Sequence, residues 1–110
     1  MIYLASPYSA GEPGLSLHRF QMTQYYTAKY MKLGNPIFSP IVHCHDLATK
    51  FGMPTTAQYW KTYNEAFLQK ADQMWILALD GWDKSFGVQM EVDWWNKHRD
   101  PKNLIIKIPE

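Results

Sequence analysis

A chain of 110 residues suffices for one domain around a single core and is too short for two. Eleven Lys and Arg stand against ten Asp and Glu with no block of like charge, so the basic footprint needed to hold a nucleic-acid polymer or an acidic membrane surface is missing. No run approaches the roughly 18 apolar residues of a membrane span, "MIYLASPYS" has no basic region ahead of a long apolar one, and the single cysteine, Cys44, allows no internal disulfide; together these point to the reducing cytoplasm.

"MIYLA" is a short apolar run ended by "SPYSAGEPG", whose Pro, Gly and Ser interrupt regular structure, so a strand and then a loop are expected. From Leu15 to Leu33, Leu17, Phe20, Tyr25, Ala28 and Met31 recur at helical spacing, and Gly34 with Asn35 closes the segment. "PIFSPIVH" reads as a second strand with Pro36 and Pro40 at its ends, followed by a helical turn in "DLATKFG". "TTAQYWKTYNEAFLQKADQ" is a helix with Thr55 or Thr56 as N-cap and Trp60, Tyr63, Phe67 and Leu68 on one face. "MWILAL" has the unbroken apolarity of a central strand. The loop "DGWDK" leads into a helix in "SFGVQMEVDWW", and "NLIIKI" closes as a fourth strand.

Strands alternating with helices predict a doubly wound α/β fold: a parallel sheet with helices on both faces. Ligands of such sheets sit beyond the carboxyl ends of the strands. Three loops converge there: "SPYSAGEPG", with Ser6 and Ser9 as candidate substrate contacts, "SPIVHCHD", and "DGWDKSFG". Aromatic residues make up 15% of the chain, including five Trp and seven Tyr, which is more ring surface than a core of this size absorbs. Part of it is expected to line a pocket or a subunit interface, with surplus packing as the alternative.

Glu91 carries the sharpest signal. Val88 lies three residues before it and Trp95 four after, so a carboxylate shares a helix side with residues that belong in a core. Such a group needs hydrogen bonds, a cation or a chemical task; a Glu rotated to the helix edge and hydrated is the ordinary alternative. Ser85 can cap that helix, leaving free amides suited to a phosphate or carboxylate, and Gly87 lets a ligand approach the backbone. An ordinary cap fits as well. His43 and His45 in "HCHD" would point the same way from an extended segment, but no second cluster completes a metal site, because His18 and His98 are isolated; no metal is expected, and polar contacts to a ligand are the better use. Trp82 suits stacking on a planar base or folding back over the core. Arg19 would meet a phosphate if it faces the cleft and is otherwise a solvated helix residue.

"MIYLASPYS", "IFSPIVHCH", "YWKTYNEAFLQKAD" and "LALDGWDKSFGVQME", in that order, resemble the nucleoside 2-deoxyribosyltransferase-like family, and most of all a small group in it that carries similar motifs and is itself similar to the branch that hydrolyses deoxynucleoside 5′-monophosphates. The resemblance implies a flavodoxin-like three-layer sandwich with four or more parallel strands. It further implies no cofactor, a small-molecule nucleotide or nucleoside as partner, and a homodimer or larger assembly. Glu91 matches the family nucleophile, which forms a glycosyl ester with a deoxyribosyl group, and Tyr3 matches a tyrosine that orients it. Ser85 stands where nucleoside-specific members tend to have Asp, and a neutral hydroxyl at a helix start suits a phosphate. Asn64 departs from the pattern, replacing an Asp placed near the leaving base; an amide binds a base but delivers no proton. The expected function is therefore cleavage or transfer of a nucleotide N-glycosidic bond through Glu91. The first alternative is a non-catalytic nucleotide binder; a protein whose Trp-rich surface serves only assembly is a third reading.

Overall fold

Strand β1 (Ile2–Ala5) is buried along its whole length, which is why it carries no charge. The computed structural model describes residues 1–8 and 13–110. After β1 come α1 (Pro13–Lys32), β2 (Ile37–Phe38), α2 (Pro40–Phe51), α3 (Ala57–Leu68), β3 (Gln73–Leu77), α4 (Phe86–His98) and β4 (Leu104–Lys107), with 3-10 turns at Trp82–Lys84 and Pro101–Asn103. The four strands are all parallel in the order β2-β1-β3-β4. This is the flavodoxin-like order, and it reverses direction between β1 and β3, where such sheets open a crevice for a ligand.

Alternation along β1 divides the core in two. Tyr3 and Ala5 turn toward a cluster with Leu68, Met74, Ile76, Val88 and Trp95, covered by α3 and α4. Ile2 and Leu4 turn the other way, to Tyr26, Trp75, Leu77 and Leu79 under α1. Among the described residues no helix is long and apolar enough to cross a membrane.

Two expectations need correction. The inner face of α1 is Phe20, Thr23, Tyr26 and Thr27, whereas Tyr25 and Met31 are 61% and 52% exposed. The apolar pattern misleads because two threonines sit on the buried side; Thr23 is accommodated by bonding to the Arg19 carbonyl at 2.8 Å and to Ser6 Oγ at 3.3 Å. Likewise, "SPIVH" is no strand. Ser39 accepts from the Val42 N–H at 3.1 Å and caps a helix whose first residue is Pro40, a position where the missing N–H costs nothing; Gly52, at φ 69°, ends it. Strand β2 is thereby cut to two residues.

Candidate functional site

A cavity of about 320 Å³ opens at the carboxyl ends of β1 and β2 on the α3 and α4 side. Its walls come from the residues after β1 (Ser6, Tyr8), from α2 (Ile41, His45), from α3 (Trp60, Asn64) and from α4 (Gly87, Met90, Glu91, Trp94). Helix α4 explains why a carboxylate is tolerated. Val88 and Trp95 go into the core, the stripe of Gly87, Met90 and Trp94 lines the cavity, and Glu91 sits on the boundary between the two, partly buried.

Tyr3 is fully buried beneath the cavity, and its phenol donates to Glu91 Oε2. Burial, and then the charge of Glu91, raises the Tyr3 pKa well above an ordinary tyrosine's, so the phenol keeps its proton and acts as the donor. Burial pushes Glu91 up to about 8, while the Tyr3 hydrogen bond pulls the other way. The result is a carboxyl group that titrates near neutrality at the floor of an apolar cleft.

Ser85 caps α4, its Oγ accepting from the Val88 N–H at 3.3 Å, and both it and Gly87 line the cavity. A Cβ on Gly87 would lie 3.3 Å from the Ala57 Cβ, so this glycine also lets the starts of α3 and α4 pack closely. Asn64 lines the cavity with its Oδ1 shut off from solvent and without a hydrogen-bond partner among the described residues. An orphaned buried acceptor is costly to the fold. Burial raises the Cys44 thiol pKa, which keeps it unreactive.

The remaining candidates divide between the cleft and other parts of the fold. Because "HCHD" is helical, His43 and His45 are about 200° apart around the axis instead of side by side. His45 lines the cavity, with Nδ1 2.5 Å from the Tyr8 hydroxyl; His43 is exposed and its Nε2 meets the Tyr63 hydroxyl at 2.9 Å. No group of three or more metal-ligating side chains comes together among the described residues. Trp82 packs back against the core cluster of Tyr3 and Trp95 and does not line the cavity. Arg19 belongs to a second depression, on the α1 side, where its Nη2 donates to the Asp80 carbonyl at 3.2 Å. Gly81, at φ 87°, serves that contact, since a Cβ there would fall 2.7 Å from the guanidinium. Arg19 thus ties α1 to the loop after β3 and stands away from the cleft. Ser9 lies outside the described residues.

A profile for a domain of unknown function, DUF1937, matches residues 1–105. The chain belongs to that family. No curated protein matches it. Within this DUF1937 chain the cleft includes residues that the reading of single motifs passed over. Tyr8 was visible as a phenol in the "SPYS" loop, and Met90 and Trp94 as the stripe one position before Glu91 and Trp95. Glu65, one residue beyond Asn64 on α3, also reaches the cavity and had no sequence signal.

Proposed function

We propose that the cleft cleaves the N-glycosidic bond of a deoxyribonucleotide or a closely related nucleotide, with Glu91 as nucleophile. The observation that carries this reading is the pairing of Glu91 with the buried Tyr3 phenol at the floor of an apolar cavity, on the helix whose capped start lines the same cavity. A Glu91 oxygen attacks C1′ of the sugar, a C–O ester bond forms, and the C1′–N bond breaks with its electron pair passing to the base. The departing base takes its proton from water, because the amide of Asn64 has none to give. Trp60, Met90 and Trp94 supply apolar and ring surface for the base, and the amides following Ser85 suit a 5′-phosphate.

Attack requires the deprotonated carboxylate. In the free protein Glu91 titrates at about 8, so kcat/KM for base release should rise tenfold per pH unit below that value and level off above it. The test is a chromatographic assay of free base across a panel of deoxyribonucleoside and ribonucleoside 5′-monophosphates and their nucleosides. Glu91→Gln should abolish release. A rate that instead falls as pH passes 8 would make Glu91 a proton donor and overturn the nucleophile role.

A binding protein is the second reading, favoured by Asn64: an amide lining the cavity can hydrogen-bond to a base but has no proton to give to its departure. Thermal stabilisation by one of the same nucleotides, with no base released, would decide for it.

A further inference from the structure

His45 is the one imidazole among the described residues that lines the cleft. Its ring is held on two sides. One face stacks on the buried Phe20, with centroids 4.0 Å apart and planes 19° from parallel, and Nδ1 lies 2.5 Å from the Tyr8 hydroxyl. Tyr8 is anchored in turn, its carbonyl accepting from Ser16 Oγ at 3.1 Å. An imidazole with one nitrogen engaged by a neighbouring oxygen and its plane fixed by stacking has its second nitrogen preset for proton transfer. A residue that served only to fill space would need neither the phenol nor a polar ring.

We infer that His45 is the base that activates the water opening the glycosyl-Glu91 ester, with Tyr8 as its positioning residue. This rests on the nucleophile reading above and adds what turns a glycosyl ester into a hydrolysis product. In the tautomer the step needs, Nδ1–H donates to the Tyr8 oxygen and Nε2 carries the lone pair. Nε2 takes one proton from water as the water oxygen bonds to C1′. The C1′–O bond to Glu91 breaks, and its electron pair returns to the carboxylate. The imidazolium then releases its proton to solvent, leaving free base and the sugar phosphate as products.

Rapid-quench kinetics on whichever nucleotide the panel shows to be cleaved separates the two steps. His45→Gln should release one equivalent of base in a burst as fast as the wild type, then turn over about 100-fold more slowly. Intact-mass measurement should find the variant carrying the sugar phosphate on Glu91. Azide, a nucleophile that needs no proton removed, should restore turnover. Tyr8→Phe should keep the burst and slow the steady state about tenfold, the effect of an unpinned imidazole tautomer; it carries the test if His45→Gln misfolds. Glu65→Gln removes the one carboxyl group besides Glu91 that lines the cleft among the described residues, and it should carry no adduct.

Wild-type turnover in His45→Gln with no trapped adduct overturns the inference alone. Adduct in Glu65→Gln but not in His45→Gln does the same. No base released by the wild type from any member of the panel removes the nucleophile reading, and this inference with it.

Discussion

Neighbouring residues of β1 face opposite sides of one sheet and meet opposite chemistry. Leu4 enters a cluster of Ile2, Tyr26, Ile37, Trp75 and Leu77 under α1, built of aliphatic and ring side chains. Tyr3, with the same complete burial, enters the α3 and α4 side and donates to a carboxyl group. Both faces exclude water, and among the described residues the α4 face is the one where that exclusion falls on a carboxyl group. The α1 face is therefore optimised for the fold, and the α4 face gives up part of its stability to hold Glu91 where a ligand can reach it.

Substitutions on the two faces should separate accordingly. Leu4→Ala opens a cavity at a site with no exposure and should cost about 3–4 kcal/mol, read by urea denaturation, while leaving the Tyr3 and Glu91 pair in place. Glu91→Gln should do the reverse. Its folded pKa of about 8 stands above the ordinary carboxylate value, so the folded state binds the proton more tightly than the unfolded chain does. That contribution is intact below about pH 4.5 and is lost as pH rises to 8. The full shift corresponds to a ceiling of about 5 kcal/mol. Gln does not ionise, and whatever its amide N–H groups cost for want of partners is the same at every pH, so its stability relative to the wild type should rise by up to about 5 kcal/mol between pH 4.5 and pH 8 and stay flat outside that range. Thermal melts of the two proteins across that range check it. Parallel curves would mean that Glu91 titrates as an ordinary surface carboxylate.

The asymmetry between the faces was only half legible in the sequence. Apolar runs in "MIYLA" and "MWILAL" are enough to mark β1 and β3, and parallel pairing follows from their alternation with helices. Glu91 was conspicuous for the same reason, as a charge on a side otherwise apolar. The caps at Thr56 and Ser85 could be read; the cap at Ser39 and the tertiary choice of face could not. Ser39 and Pro40 begin a helix, but Ser-Pro after a β-branched run reads equally as the end of a strand, and that single ambiguity put His43 and His45 on the same side. Whether Arg19 faces the cleft was equally undecided, because its partner, the carbonyl beside Gly81, is 61 residues away in sequence. Trp82 carried no periodicity at all, so nothing local decided between the cleft and the core.

The smallest effect expected is at Ser85, and it sharpens the comparison most, because one side chain there serves both fold and cleft. As a cap it accepts a single 3.3 Å hydrogen bond from Val88, so Ser85→Ala should cost about 1 kcal/mol. Ser85→Asp is the informative partner. A carboxylate caps as well as a hydroxyl and interacts favourably with the positive end of the helix, so the free protein should be as stable as the wild type or slightly more so. The same charge would repel a phosphate held by the adjacent amides. Melts with and without added deoxyribose 5-phosphate should therefore show Ser85→Ala losing stability but keeping much of the ligand-induced shift, and Ser85→Asp keeping stability but losing the shift. If Ser85→Asp retains the full shift, the start of α4 is a cap and nothing more, and the phosphate, if one is bound, lies elsewhere in the cleft.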